Sequence, residues 1–318
     1  MTTGISRGNW IRLLVLAAIW GASFMFVTIA LTGVGPLTVV ATRITLGAIF
    51  LLILTFATGH GLPPLRGPGG GKVWLFALAM GIFSNALPFA LLSWGQQIVA
   101  SGFAGVCMAI VPLFVLPLAH VFVPGETFTL RRMIGFAIGT AGVVVLIGPS
   151  AFASTGQDME MLARMVCVVA AGCYACGAIF TRLCPEVDRM ALSAAVLLVA
   201  SVIFTPYALI TEGMPQDVNG KAIFALLYLG LLPTGVAQIL LVHVIRDAGP
   251  VFLSLVNYQV PIWSVVFGAI VLSEPLPGSM FLAMLLILGG VALSQLGALK
   301  RLFSRRSNGK ITTETKIR

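Results

Sequence analysis

Charge is what this sequence has least of. Of 318 residues only 9% are Asp, Glu, Lys or Arg, and just 10 are acidic. A soluble domain carries roughly a quarter of its residues charged, so a protein dispersed in water is excluded. Histidine is scarcer still, at three residues. With so few acids and imidazoles, no clustered acid–base or metal-ligand set stands out. There is no GxSxG, no HExxH, no Walker loop and no Rossmann fingerprint in strand–helix context. Gly67-Pro68-Gly69-Gly70-Gly71 contains proline, follows no strand and is expected to be a flexible loop. Hence no catalytic residue, no metal and no cofactor is expected. Five cysteines (Cys107, Cys167, Cys173, Cys176, Cys184) fall in or just beyond apolar segments, with no histidine at ligand spacing. Cys173 and Cys176 form a CxxC in mid-helix, where small apolar side chains serve packing.

Apolar sequence is what the chain has instead. Hydrophobic residues make up 58%, and the mean hydropathy is +1.05. Ten apolar segments of about spanning length follow one another, at residues 10–31, 36–56, 73–93, 98–122, 130–148, 162–182, 190–211, 222–242, 249–272 and 278–298. Breaker-rich loops such as Gly59-His60-Gly61-Leu62-Pro63-Pro64 separate them. The fold class expected is an all-α membrane protein. Arg7 and Arg12 precede the first run like the start of a signal peptide. That run is long enough to span and closes without a small-x-small site, so a retained first helix is expected.

Lys and Arg set the orientation. With the amino terminus in the cytoplasm, only Arg164 and Lys221 fall on the other side, and Arg43 falls inside the second segment. Seven of the 19 basic residues lie after Leu299, in a tail (residues 300–318) expected to be disordered and to lie against anionic lipid. Both termini are then cytoplasmic, in a bacterial inner membrane. The net charge of +9 reads as this topology signal rather than as nucleic-acid binding.

The chain also repeats itself. Ala100-Ser101-Gly102, Pro112 and Glu126 correspond to Gly249-Pro250-Val251, Pro261 and Glu274, and Gly81 corresponds to Gly230 at an offset of 149. Gly142 matches Gly290. Two halves follow, residues 1–149 and 150–299. Each has five segments, an odd number, so the second is upside down relative to the first. Inverted repeats of this kind are characteristic of secondary transporters.

These residues carry a resemblance. Trp20-Gly21-Ala22-Ser23-Phe24, Pro36 with Arg43, Ala100 to Pro112, Glu126 with Gly139 and Gly142, Tyr228-Leu229-Gly230-Leu231, Gly249 to Pro261, and Ser273-Glu274-Pro275-Leu276 are the matching stretches. The pattern resembles the drug/metabolite transporter superfamily and, within it, the EamA-type ten-helix transporters. The resemblance implies export of amino acids and related metabolites, or import of riboflavin-like vitamins or nucleotide-like compounds. It departs at Tyr174, where a second tryptophan is common.

Several residues are candidates for a solute site. Arg43 lies about seven residues into its helix, roughly 10 Å along the axis. It either lines a cavity and attracts an anion or snorkels to a helix end. Trp20, Ser23, Asn85, Thr234, Gln238, Asn257, Tyr258 and Gln259 fall near the middle of their segments. They serve either a wet cavity or hydrogen bonds between helices. Pro88, Pro112, Pro117, Pro233 and Pro261 mark flexible points or static kinks. Gly135-x-x-x-Gly139 and Gly289-Gly290 allow close helix contact, within one chain or between subunits. Glu126 and Glu274 are expected to meet the dipole of the helix that follows each. No carboxylate lies deep in a segment, so proton coupling, if present, falls to His120 or His243, and facilitated diffusion or exchange stays open. The function expected is alternating-access transport of a small polar solute by a monomer or homodimer. A membrane-embedded lipid enzyme and a helical sensor scaffold are the rivals.

Overall fold

The computed structural model describes residues 6–65, 70–123, 129–147, 158–248, 250–253 and 255–304. Among them there are helices and turns and no strand. Ten segments run in order. They are α1 (Arg7–Ala30), α2 (Pro36–Ala57), α3 (Gly70–Gly95), α4 (Ser101–Phe122) and α5 (Leu130–Ile147). The second half holds α6 (Asp158–Leu183), α7 (Arg189–Glu212), α8 (Gly220–Leu231, continuing as Ala237–Ala248), α9 (Val256–Leu272) and α10 (Gly278–Ser304). Nine of the ten are long and apolar enough to cross a bilayer. The tenth, α9, is a 17-residue apolar helix preceded by a short turn, Pro250–Leu253. The face where α1 begins is called here the near face, and the one where α2 begins the far face.

Local chemistry sets the boundaries. Ser6, Asp188 and Asn219 cap α1, α7 and α8 by accepting from Asn9, Ala191 and Ala222 amides. Pro36 opens α2 with a ring that needs no donor there. Gly213, at φ 76°, closes α7 in the left-handed region that glycine tolerates. The helix α10 runs on to Ser304, so residues 300–304 of the expected disordered tail are helical. The rest of that tail lies outside the described residues, as does Glu126.

The packing repeats across the halves. Helix α2 lies on α7, α4 on α9, and α5 on α10. Helix α1 touches α8 and α9 just as α6 touches α3 and α4, and α2 meets α8 as α7 meets α3. Each interface therefore maps onto another, or onto itself, when the halves are exchanged. The α5–α10 seam brings two helix backbones close together. A Cβ on Gly135 would come within 2.5 Å of the Gly290 carbonyl oxygen, and one on Gly290 within 2.5 Å of the Gly139 nitrogen. The glycine spacing in α5 thus serves a contact inside the chain. Outward, Ile53, Ile210, Ile270 and Leu285 remain 66%, 85%, 76% and 69% exposed. Such a collar of bare aliphatics suits lipid, not water.

Helices α3 and α8 are each interrupted by one π-turn, at Ile82–Ala86 and Leu232–Val236. Proline contributes to both, because Pro88 and Pro233 cannot donate to the preceding turn. In α8 the Thr234 hydroxyl donates to the Leu229 carbonyl at 2.9 Å. In α3 the Asn85 amide donates to the Met80 carbonyl at 3.4 Å. Both side chains reach a carbonyl five residues back, and in α8 that carbonyl, Leu229, is the one Pro233 leaves without an amide donor, which hydrocarbon would otherwise penalise. Pro206, which the sequence reading passed over, is a further proline inside a helix.

Candidate functional site

Arg43 organises the interior. Its neighbour one turn on, Gly47, has no side chain, and a Cβ there would lie 2.5 Å from Thr234 Cγ2. Helices α2 and α8 can therefore close until Arg43 Nε donates to Thr234 Oγ1 at 3.2 Å. The guanidinium carbon sits 3.8 Å from the centre of the Phe89 ring, a cation–π contact worth about 0.5–2 kcal/mol. Snorkelling is thereby answered, since the group turns inward. Its titratable neighbours are the phenols of Tyr174 and Tyr228. Among the described residues no carboxylate pairs with it. A guanidinium has five N–H donors, and only Nε–H meets a protein oxygen here. Burying this charge costs about 2.5–3.5 kcal/mol on insertion scales, against which stand one charged hydrogen bond, worth about 1.5–3 kcal/mol, and the ring contact.

The remaining donors face a cavity of about 40 Å³, lined by Ser23, Phe24, Val27, Arg43, Phe89, Leu92, Ser93, Gln96 and Tyr174. Helix α3 supplies Phe89, Leu92, Ser93 and Gln96 at helical spacing, so one stripe of it forms a wall. Gln96 is 5% exposed. Its oxygen accepts from Thr28 Oγ1 at 3.3 Å, and its amide nitrogen has no partner. A buried donor left unpaired costs about 1–3 kcal/mol. The sequence reading missed Gln96 because it stands beside Gln97 at a helix end, where glutamine ordinarily marks an interface. The spacing of Phe89, Ser93 and Gln96 along one stripe was the available signal. The cavity has room for about one water, whose liquid volume is about 30 Å³. Solute pockets run to roughly 300 Å³ or more, so this cavity must enlarge to hold a solute.

The other candidates are dispersed. Trp20 Nε1 donates to the Pro233 carbonyl at 3.0 Å and so braces the α8 π-turn. Ser23 lines the cavity, its hydroxyl donating to the Trp20 carbonyl at 2.6 Å. Asn85 serves its own helix, as described. Gln238 donates to Ser193 Oγ, an interhelical bond. Asn257 is exposed. Tyr258 OH and Gln259 Oε1 are buried without partners, outside the cavity lining. His120 is exposed and has a partner. His243 is exposed too, with Nδ1 2.8 Å from the Ile239 carbonyl of its own helix. Neither histidine lines the cavity. Among the described residues no cluster of His, Cys, Asp or Glu could hold a metal, and the cysteines are free thiols.

At the far face, carboxylates from the second half hold helices of the first. Ser273, at φ 55°, closes α9 and returns Glu274 toward α4. Glu274 accepts from the Ser101 and Gly102 amides at 2.7 and 3.0 Å. It therefore caps α4, not the following helix α10, as the sequence had led us to expect. Gly35 has no capping side chain, and Glu212 does that work for α2. It accepts from the Leu37 and Thr38 amides at 2.9 and 2.8 Å and from Thr38 Oγ1 at 2.7 Å. Charge-assisted bonds at a positive helix end are the strong kind. At the near face the cross-links are Arg12 with Asp247, an ion pair at 2.6 Å, and the contact of His60 Nδ1 with Asp188 at 3.2 Å.

Comparison with known proteins meets this geometry at the level of the whole chain. The EamA-like transporter family matches twice, over residues 9–148 and 161–296. The chain is a member of the EamA-like transporter family. Each match covers one five-helix half. As an EamA-like protein it is a transporter, not an enzyme. Among relatives, the "Uncharacterized inner membrane transporter YedA" of Escherichia coli K12 is 26% identical over 289 residues, 90% of each chain. The "Uncharacterized transporter YoaV" of Bacillus subtilis is 25% identical, covering 86% of this chain and 91% of that one. The E. coli K12 "Probable amino-acid metabolite efflux pump" is 24% identical, covering 92% and 96%. A solved crystal structure aligns with TM-score 0.65 at 20% identity over 92% of this chain and all of that one, which shows the shared fold.

Proposed function

We propose that this EamA-like protein is a secondary transporter of small polar metabolites, amino acids or compounds related to them, with export favoured. The name of the efflux-pump relative supports the solute class. The observation that carries the reading is Arg43, a charge about a third of the way along a membrane helix with no carboxylate partner among the described residues, lining a cavity with hydroxyls and aromatic rings. Such a residue costs energy in every protein molecule, and a passing anionic group offsets that cost. Transport then proceeds by alternating access. The halves, residues 1–149 and 150–299, rock about the α2–α7 and α4–α9 interfaces, with the cavity enlarging as either face opens. We place the protein in a bacterial inner membrane with both termini cytoplasmic, so that the far face is periplasmic.

The test is counterflow in proteoliposomes, with a panel of labelled amino acids, riboflavin and nucleotides. Saturable flux of one or more amino acids, lost in Arg43→Met, is expected. No flux of any panel member by protein that is folded by thermal melting overturns the reading.

A further inference from the structure

We propose that Gln96 and Arg43 together form a carboxylate-selective grip, Gln96 supplying the neutral donor that fixes which anions and which solute ends the site accepts. The inference rests on the proposed transport site and adds a specificity residue to it. Three observations converge. Gln96 is almost wholly buried, at 5% exposure, and lines the same cavity as Arg43. In the structure its oxygen meets Thr28 Oγ1 at 3.3 Å, which leaves the amide nitrogen as the free end. No acceptor among the described residues meets that nitrogen, while Arg43, which lines the same space, spends only Nε–H on a described protein oxygen.

The ligand chemistry follows from counting charges and donors. The cavity wall holds one positive charge, no negative charge, one orphan amide donor and the hydroxyls of Ser23, Ser93 and Tyr174. A monoanion with two oxygens neutralises Arg43 with one and takes the Gln96 N–H with the other. A carboxylate is such a group. A phosphate dianion would bring a second negative charge for which the wall has no cation. A solute ammonium finds no carboxylate here, and the face of Phe89 is already covered by Arg43. Discrimination is strong at sites of this type, because a solute lacking the acceptor leaves the buried donor unpaired.

The experiment compares wild type with Gln96→Leu and Gln96→Glu in proteoliposomes. The probes are leucine, phenylalanine, their carboxamides, the matching 2-hydroxy acids and inorganic phosphate. Wild type is expected to take amino and hydroxy acids alike, and the carboxamides and phosphate at least tenfold more weakly. Gln96→Leu should raise KM for the acids about tenfold or more and narrow the acid-to-amide ratio, with its solute-free melting temperature near wild type because an unpaired buried donor has been removed. Gln96→Glu, which places a carboxylate beside Arg43, should lose the acids more completely and favour the carboxamides. A merely structural glutamine would lower the melting temperature and leave the acid-to-amide ratio untouched. Wild-type flux with unchanged KM and ratio in both variants overturns the grip and leaves the transporter standing. Equal wild-type handling of acids and amides overturns it as well. A wild type inert toward every probe would instead count against the transport reading itself.

Discussion

Helices α3 and α8 hold corresponding places in the two halves, and both break at the same turn. In each, a polar side chain reaches a carbonyl five residues earlier, Asn85 in one and Thr234 in the other. Past the turn they diverge. Helix α3 sends Phe89, Leu92, Ser93 and Gln96 to the cavity. The corresponding residues of α8, at the offset of 149, are Gln238, Leu241, Val242 and Ile245, and Gln238 is spent on Ser193. The frame is symmetric while the chemistry is not. Symmetry in the backbone allows two mirror-related states of similar energy, as alternating access requires. Asymmetry in the side chains puts a single site off the axis. The second half contributes Tyr174 to the wall and Thr234 as the brace for Arg43.

Substitutions can break this comparison at graded cost. The largest effect is expected from Arg43→Met, which removes the one charge of the cavity. Counterflow of anionic solutes should fall at least a hundredfold, a loss of about 2.7 kcal/mol or more in transition-state stabilisation, with the fold retained in a thermal melt. Retained flux would show that the site lies elsewhere. Next comes Thr234→Val, which orphans both the Leu229 carbonyl and Arg43 Nε. About 1–3 kcal/mol of stability should be lost in unfolding by denaturing detergent, and solute affinity should fall with it. Glu274→Gln keeps the shape of the α4 cap without its charge, and about 0.5–2 kcal/mol is expected. The same change at Glu212, which makes three bonds rather than two, should cost more. The smallest is Asn85→Leu. Its bond to the Met80 carbonyl is long, so about 0.5–1.5 kcal/mol of stability is expected to go, with KM unchanged. A large KM change there would mean that the two π-turns do unlike work.

Much of this was written in the sequence. Long apolar runs have one solution in lipid, so the ten segments and their order were legible from hydropathy. The inverted repeat was legible from an odd number of segments per half. The division of labour among polar residues was not. Trp20, Asn85 and Gln238 lie inside apolar segments as Arg43 does, yet each is consumed by a neighbouring backbone or hydroxyl. Depth is a one-dimensional property, whereas lining a cavity depends on rotation about the helix axis. A π-turn shifts that rotation by the angle of one residue, about 100°. Any helical wheel drawn through Ile82–Ala86 therefore misplaces Gln96. Glu274 was misread for a related reason. The left-handed Ser273 turns the chain back, so the helix capped is distant in sequence.

A helix with a π-turn has one residue too many. Matching stretches of both halves carry that surplus residue, so the wider turn belongs to the repeated unit and not to one helix alone.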